Sequence, residues 1–158
     1  MPLHEGDQAT FTGGVFVINA DGRRLRQIVE RLRVSGAEWS PDGQRIAYDA
    51  EQPDIWNEIR IVNQDGSGDR RLVGELRDNT VGPVWSPDGS TVAFVGFVGG
   101  GTTSRIHLIN ADGTNDRGLT AEASSNVDEQ DPSWSSDGRH RSRSCGTSAA
   151  TSAFPKST

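Results

Sequence analysis

Short runs of β-prone residues recur along the chain, and turns rich in Gly, Asp and Pro separate them. Residues 45–48 read Arg-Ile-Ala-Tyr and residues 91–94 read Thr-Val-Ala-Phe, and each run follows a Ser-Pro-Asp-Gly turn. In such a turn Pro presets φ, Asp can bind nearby backbone and Gly accepts a positive φ. No segment sustains the spacing of apolar residues that a helix needs. The pattern therefore predicts an all-β chain.

Two motifs repeat with nearly the same period. Trp-Ser-Pro-Asp-Gly stands at 39–43 and 85–89 and returns as Trp-Ser-Ser-Asp-Gly at 134–138, with spacings of 46 and 49 residues. In alternation with these copies, and starting before the first of them, an apolar run ends three times in Asn-x-Asp-Gly, with spacings of 44 and 47 residues. An Asp-Gly turn after an apolar run is a strong hairpin signal. We interpret nine residues as structural positions of the repeat: Trp39, Asp42, Gly43, Trp85, Asp88, Gly89, Trp134, Asp137 and Gly138.

One period holds four predicted strands, and a blade of a β-propeller is a four-stranded sheet of about this length. Residues 33–73 and 79–120 supply two complete blades, whereas 11–29 and 128–138 supply parts of two others. The sequence thus predicts an all-β partial β-propeller, built from four-stranded antiparallel blades, over residues 1–138. Closed propellers have about four to eight blades, so we expect open blade edges that allow self-association.

The segment after Gly138 breaks the pattern. Arg141 and Arg143 stand where the other copies have core-forming apolar residues, and the remainder is rich in Ser, Thr and Ala. We therefore predict that residues 139–158 are a disordered tail or the product of a frameshift. In the frameshift hypothesis, the codons of His140 and Arg141, read in another frame, encode the Ile-Ala that the repeat has at this place. Without that strand, aggregation is the expected form of self-association rather than a clean dimer.

The repeat as a whole resembles a known family. Trp-Ser-Pro-Asp-Gly-x-x-Ile-Ala-Tyr/Phe with Ile-x-Asn-x-Asp-Gly downstream is similar to the WD40-like propeller repeat of the TolB family, over residues 11–138. The resemblance implies a periplasmic or extracytoplasmic scaffold that contacts other proteins. Similar blades occur in the propellers that gate prolyl-oligopeptidase-type (S9) serine peptidases and in extracytoplasmic sensor domains. The motif is therefore specific for the fold and leaves the function open.

Charge is unevenly distributed along the chain. Residues 1–138 hold all 22 acidic residues against 12 Lys and Arg, whereas the tail holds four Lys and Arg and no acid. An acidic body argues against nucleic-acid binding, which needs clustered Lys and Arg. The first residues lack the basic and apolar regions of a signal peptide, and no apolar run is long enough for a membrane helix. We expect no nucleic-acid partner and no membrane insertion.

Sequence motifs of catalysis and of cofactor binding are missing. There is no Gly-x-Ser-x-Gly elbow, no phosphate-binding loop and no His-Glu-x-x-His. The repeated Asp residues stand in turns that need Asp for geometry, which we favour over calcium binding. Cys145 is the single cysteine and allows no disulfide within the chain. We predict no catalytic residues, no cofactor and no metal site.

The connections before the first strand of each blade are the better candidates for binding a partner. In propellers these connections open near the central channel, and repeat proteins place function on such loops. Trp56 has no equivalent in the other copies and is a further candidate. The candidate partner-binding residues are Ser35, Asn79, Thr80, Asp128, Glu129, Asp131 and Trp56.

These observations predict a non-catalytic interaction module that presents a rigid acidic surface to a protein or peptide. The alternative is the propeller fragment of an S9 serine peptidase that lacks its catalytic domain, and a third possibility is a nonfunctional gene remnant. A neighbouring reading frame with Gly-x-Ser-x-Gly favours the peptidase, whereas neighbouring blades favour the interaction module.

Overall fold

The computed structural model describes residues 13–31, 33–52, 55–73, 79–98, 103–119, 127–138 and 141–147. These segments form twelve strands in four antiparallel sheets and contain no helix. Two sheets have four strands and two have two strands. The predicted fold class, an all-β partial propeller with four-stranded antiparallel blades, is confirmed.

The two complete blades have the same strand order, because each strand pairs with its neighbour along the chain. The first blade consists of β3 (Val34–Trp39), β4 (Arg45–Gln52), β5 (Ile55–Asn63) and β6 (Arg70–Arg71). The second blade consists of β7 (Thr80–Trp85), β8 (Thr91–Val98), β9 (Thr103–Asn110) and β10 (Arg117–Gly118). The register is shared as well, since Trp39 pairs with Ile46 and Trp85 pairs with Val92.

Two half-blades flank the complete blades. The N-terminal half-blade consists of β1 (Gly13–Val17) and β2 (Arg26–Arg31), which correspond to the third and fourth strands of a blade. The C-terminal half-blade consists of β11 (Val127–Trp134) and β12 (Arg141–Thr147), which correspond to the first and second strands. The described part of the chain therefore contains complementary halves of a blade.

Strand β12 lies within residues 139–158, for which the sequence predicts a disordered tail or the product of a frameshift. Trp134 pairs with Arg141 and Gln130 pairs with Ser144, which is the register that joins β7 to β8. The Gly138 amide donates to the Ser135 carbonyl at 2.9 Å, so the turn forms as in the other copies and directs the chain back along β11. Backbone pairing does not depend on apolar side chains. The rest of the predicted tail, 139–140 and 148–158, lies outside the described residues.

The Ser-Pro-Asp-Gly turns have their own hydrogen bonds. Asp88 accepts the Ser86 hydroxyl at 2.6 Å and the Ser90 amide at 3.0 Å. These bonds hold the pKa of Asp88 down at about 2, and the same two kinds of bond lower the pKa of Asp42. Gly89 closes the turn at φ 69°, a left-handed conformation that glycine adopts readily. The turn Asp residues are therefore engaged in the turns themselves.

The hydrophobic core lies between sheets rather than within one sheet. One cluster joins the N-terminal half-blade to the first blade: Val15, Val29, Ile46, Tyr48, Ala50 and Val62. The other joins the first blade to the second: Ala47, Ile59, Ile61, Leu72, Val73, Trp85, Val92, Phe94, Ile109 and Ala111. The first blade thus buries both of its faces against neighbours, as burial of apolar surface in a propeller requires.

Candidate interaction site

The first strand of each blade carries an irregularity three residues before its Trp. Strand β7 contacts β3 of the preceding blade and β11 of the following half-blade. The pairing register shifts in all three, and the aligned residues at the shift are Gly36, Gly82 and Asp131. Gly82 has φ 63° and Asp131 has φ 49°, so both take the left-handed conformation. Asp131 thus adopts, as a non-glycine residue, a backbone shape that favours glycine.

Asp49 occupies this irregularity at the first junction, which is the interface between the first and second blades. Its side chain is buried. Oδ1 accepts the amides of Ser35 and Gly36 at 2.9 and 2.8 Å, and Oδ2 accepts the Gly82 amide of the next blade at 3.0 Å. Hydrogen bonds to a carboxylate are stronger than neutral ones. One buried side chain therefore ties together the inner strands of two blades.

The second junction, between the second blade and the C-terminal half-blade, is built differently. Val95 stands at the position of Asp49, since Tyr48 and Phe94 precede them in aligned strands. Valine has no oxygen that could accept hydrogen bonds from backbone amides, as the Asp49 carboxylate does. A cavity of about 360 Å³ lies here instead, and we call it the junction pocket. Its lining residues are Val81, Gly82, Val84, Val95, Phe97, Gln130, Asp131 and Pro132.

The junction pocket combines apolar walls with one polar side. The second blade contributes valines and Phe97, whereas the half-blade contributes Pro132 together with Gln130 and Asp131. Gln130 and Asp131 are exposed, so they stand at the solvent side. A concave apolar site with a few polar groups is the usual form of a ligand pocket.

Two candidate residues from the sequence join neighbouring blades. Asn79 accepts the Asn57 amide on its Oδ1 at 2.9 Å, and the Thr80 hydroxyl donates to the Asn57 carbonyl at 3.0 Å. Thr80 is buried. Both side chains therefore bind the third strand of the preceding blade and do not face the pocket as recognition groups.

Asp128 and Glu129 stand at the same aligned positions in the C-terminal half-blade. Asp128 Oδ1 accepts the Ser104 amide at 3.2 Å, and Glu129 Oε2 accepts the Ile106 amide at 3.1 Å. Glu129 is fully buried. These two carboxylates repeat the inter-blade contact that Asn79 and Thr80 make one blade earlier.

The remaining candidates are divided between the two junctions. Ser35 is exposed and donates its amide to Asp49 at the first junction, whereas Asp131 lines the junction pocket. Trp56 lies in β5, and its side chain is outside the described part of the structure. Of the six candidates whose side chains the structure describes, Asp131 lines the pocket.

Sequence reasoning missed Asp49 and the apolar lining of the pocket. Asp49 interrupts the run Ile-Ala-Tyr-Asp-Ala at residues 46–50, at the point where the second blade has Val95. A position-by-position comparison of the two copies contains this signal. The lining itself had no such signal, because it comes from two sheets that meet only in the folded chain.

The repeated tryptophans bind across the junctions. The Trp85 indole donates to the Glu38 carbonyl at 3.2 Å, and the Trp134 indole donates to the Val84 carbonyl at 3.3 Å. The Arg45 guanidinium lies 4.8 Å from the centre of the Trp85 ring, a cation–π distance. Burial raises the pKa of the Glu38 carboxyl, and the Trp85 amide partly offsets that rise. Trp85 and Trp134 are thus inter-blade residues, whereas Trp39 is exposed.

The first blade also carries a partly buried network of polar side chains centred on Asp69. Asp69 accepts the Tyr48 hydroxyl at 2.7 Å and Arg60 Nε at 2.9 Å, and Arg31 of the N-terminal half-blade binds its other oxygen at 2.5 Å. Burial, followed by the hydrogen bond to Asp69, raises the pKa of Tyr48 to about 12. Through Asp69, the residue before β6, this network joins β2, β4 and β5.

The second blade replaces that network with a smaller one. Phe94 and His107 take the paired positions of Tyr48 and Arg60. His107 Nδ1 lies 3.0 Å from Asp116 Oδ1, and its ring stacks on Phe94 with 5.4 Å between the ring centres. Of the aligned positions in these two networks, only the one held by Asp69 and Asp116 has the same residue in both blades.

The described segments contain neither a cluster of metal-binding side chains nor a membrane-spanning helix. No group of three or more His, Cys, Asp or Glu side chains in them could hold a metal ion. No helix of those segments is long and apolar enough to cross a membrane.

Comparisons with known proteins bear on both the repeat and the fold. A family model described as the TolB beta propeller domain matches residues 4–144. No curated protein sequence matches the chain. The structure is similar to a protein assigned as TolB from Agrobacterium tumefaciens, with a TM-score of 0.74 and 20% identity, over 87% of this chain and 47% of that one.

Other solved structures share the fold. TolB from Acinetobacter baumannii gives a TM-score of 0.70 and 17% identity, over 87% of this chain and 33% of that one. An oligogalacturonate lyase in complex with manganese gives 0.55 and 20%, over 77% and 32%. At such identities the likeness concerns the fold alone. The chain spans less than half the length of each of these structures.

Proposed function

The chain belongs to the TolB beta propeller domain family, and from this premise we propose that it is a non-catalytic interaction module that binds a protein or peptide at the junction pocket. The observation that carries the proposal is the difference between two aligned junctions. Asp49 occupies the first, whereas the second holds a cavity of about 360 Å³ beside Val95. A repeat that leaves one of its junctions open offers a site that the scaffold does not need for itself.

The size and lining of the pocket favour an apolar side chain of the partner. Ligand pockets have volumes of roughly 300 to 1,000 Å³, so this one stands near the lower end of that range. Val81, Val84 and Phe97 supply apolar walls. Binding sites between proteins commonly centre on one apolar or aromatic anchor in such a pocket. We therefore propose that one bulky apolar residue of the partner enters here.

The charge of the chain favours a basic neighbour next to that anchor. Asp131 is exposed at the rim of the pocket. Acidic residues outnumber Lys and Arg by 22 to 12 over residues 1–138. Complementary charge increases the rate of association and selects among partners. The proposed recognition element is therefore an apolar residue flanked by Lys or Arg.

Selection from a displayed library of random peptides tests this proposal. We expect enrichment of peptides with one Leu, Ile or Phe beside a Lys or Arg, with affinity that weakens as salt is added. Val81 is partly buried in the wall of the pocket. Val81→Phe places a ring there and should abolish binding of the selected peptides. The matched control is Ser35→Phe, the aligned position of the first junction, which should leave their binding unchanged.

Two results would contradict the proposal. One is a library that yields no enriched peptide. The other is a set of enriched peptides that bind the Val81→Phe variant as tightly as the unmodified chain, which would place recognition elsewhere. Asp131→Asn is expected to weaken binding less than Val81→Phe does and to reduce its salt dependence.

The family also suggests a setting for this module. We propose that it acts outside the cytoplasm as a scaffold, as the resemblance to the TolB family implies. Fractionation of the native cells with an antibody against the chain tests this part, and recovery in the cytoplasmic fraction contradicts it.

A further inference from the structure

The first and second blades leave a cleft between the ends that carry their turns. We call it the turn cleft; it has a volume of about 550 Å³ and is lined by Arg45, Arg70, Ser90, Asn110, Ala111 and Asp112. Arg45 begins β4 and Arg70 begins β6 of the first blade, and the second blade contributes the other four residues. Ser90 directly precedes β8, whereas Phe97 of the junction pocket lies near the opposite end of that strand. The turn cleft and the junction pocket are therefore separate sites.

The second blade has short side chains at the two positions where the first blade bridges its turns. Ser90 and Ala111 are the aligned equivalents of Gln44 and Gln64. In both blades the later residue of the pair donates its amide to the carbonyl of the earlier one at 2.9 Å. In the first blade the side chains bond as well, since Gln64 Nε2 donates to Gln44 Oε1 at 3.0 Å. Ser90 and Ala111 are too short to make that bridge, so the space above their backbone bond stays open.

Two guanidinium groups are held in place at the turn cleft. Arg70 Nη2 donates to the Ala111 carbonyl at 2.7 Å. Arg45 lies over the Trp85 ring, 4.8 Å from its centre, and its Nη2 makes a long bond of 3.4 Å to the Gly89 carbonyl. A guanidinium has several N–H donors, so both groups retain donors that have no acceptor among the described residues. The two side chains are thus positioned by the fold and still able to bind an anion.

The carboxylates near the turn cleft limit the charge of the anion. The Thr114 hydroxyl and amide bind Asp112 at 2.6 and 2.9 Å, and these bonds, with a smaller effect of the Arg70 charge, lower the pKa of Asp112. Asp112 is therefore ionised at neutral pH. Asp42, in the turn of the first blade, is close enough to Arg45 for their charges to attract. Two negative groups beside two positive ones repel a doubly charged anion more than a singly charged one.

We propose that the turn cleft binds a carboxylate group, held by the remaining donors of Arg45 and Arg70. A carboxylate has a single negative charge, and its two oxygens match the planar fork of donors on a guanidinium. The inference goes beyond the proposed function, because it assigns a second site at the opposite end of the strands. Two sources can supply the carboxylate, an acidic side chain of a peptide or a small organic acid.

An NMR titration of the arginine Nε–Hε signals tests the proposal. The probes are propionate, a blocked Gly-Glu-Gly peptide with one carboxylate, and inorganic phosphate. We expect at least one carboxylate probe to shift the signals of Arg45 and Arg70, and phosphate at the same concentration to shift them less. Tighter binding of the peptide than of propionate identifies an acidic peptide as the source, and any other order identifies a small organic acid. Signals that respond to neither carboxylate, or respond more to phosphate, overturn the proposal.

Two aligned arginines provide a matched pair of variants. Arg26 is the equivalent of Arg70 and donates to the Gln64 carbonyl at 2.6 Å, beside the bridged glutamines. Arg70→Gln should weaken binding of the carboxylate probe on the order of tenfold. Arg26→Gln removes the same charge from the chain and should leave binding unchanged. Equal losses in the two variants would show that general charge attracts the probe, and would overturn the proposal.

A second pair of variants should act in the opposite direction. Asp112→Asn keeps an oxygen that can accept the bonds from Thr114, so the turn is retained while its negative charge is lost. Binding of the carboxylate probe should become roughly threefold tighter, and binding of phosphate should gain more. The control is Asp65→Asn at the aligned position of the first blade, where Ser67 makes the same two bonds. Weaker binding after Asp112→Asn, or an equal gain after Asp65→Asn, would contradict the assignment of the anion to the turn cleft.

Discussion

The two complete blades share a backbone frame and differ in what that frame holds. Both have four strands, the same register and the same Ser-Pro-Asp-Gly turns. At one aligned position the first blade has Asp49 and the second has Val95, and the adjoining junctions are accordingly hydrogen-bonded and hollow. At a neighbouring position the first blade has Tyr48 in a polar network, whereas the second has Phe94.

The comparison separates residues that build the repeat from residues that vary upon it. The turn Asp residues accept the Ser hydroxyl of their turn in all three copies. The tryptophans of the second and third copies each donate to the preceding inner strand. The side chains at positions between these repeated residues decide whether a junction is closed by hydrogen bonds or contains a cavity. Function in a repeat protein is therefore better sought where aligned copies differ than where they agree.

The largest effect is expected from giving the first junction the residue of the second. Asp49→Val leaves the amides of Ser35, Gly36 and Gly82 without their acceptor, so the free energy of unfolding should fall by about 3 kcal/mol. Urea denaturation measures the change. The matched control is Glu51→Val on the same strand, a partly exposed carboxylate whose loss should change stability by less than about 0.5 kcal/mol. An Asp49→Val variant as stable as the control would mean that Asp49 does not join the blades.

The next effect concerns the polar network that only the first blade has. Tyr48 is the single tyrosine, so the absorbance of tyrosinate reports on it alone. Because burial and Asp69 raise its pKa, the folded chain should titrate at about pH 12 and the urea-unfolded chain at about pH 10. The stabilisation that accompanies the neutral phenol is complete below about pH 10 and is lost as the pH rises toward 12. A midpoint near 10 in a chain with native circular dichroism would contradict the buried bond.

The smallest effect compares aligned glycines of the two blades. Gly82 has φ 63° and open space where a Cβ would stand, so Gly82→Ala should lower stability by about 1 kcal/mol through backbone strain alone. Gly36 is not left-handed, and an added Cβ would make an ordinary contact with Asp49 at 3.5 Å. Gly36→Ala should therefore be nearly neutral. Equal losses in the two variants, measured by urea denaturation, would show that the two irregularities have the same backbone shape.

The fold was largely predictable from the sequence because the same strand and turn motifs occur in several copies. Trp-Ser-Pro-Asp-Gly and Asn-x-Asp-Gly each mark a strand end, so two complete blades followed from their spacing. Strand β12 did not follow, because its side chains lack the apolar alternation on which strand prediction depends. The turn at Ser135 and the backbone pairing with β11 determine where β12 lies.

The candidate site was only partly predictable. The sequence located the variable residues before each inner strand, yet Asn79, Thr80, Asp128 and Glu129 turn out to bind the neighbouring blade. A polar residue before a strand looks the same in sequence whether it meets a partner or a backbone amide of the same chain. The pocket depends on which residues face each other across a junction, and one copy of the repeat does not contain that information.

The most direct measurement transfers the first junction onto the second. Val95→Asp combined with Asp131→Gly supplies the carboxylate and the glycine that the first junction has, so it should close the pocket while keeping a cooperative urea transition. The dissociation constant of a library-selected peptide, measured by calorimetry, is the readout. The account predicts that this variant loses at least tenfold in affinity, whereas Asp131→Gly alone loses less. Unchanged affinity in the double variant would contradict the claim that the junction pocket is the binding site.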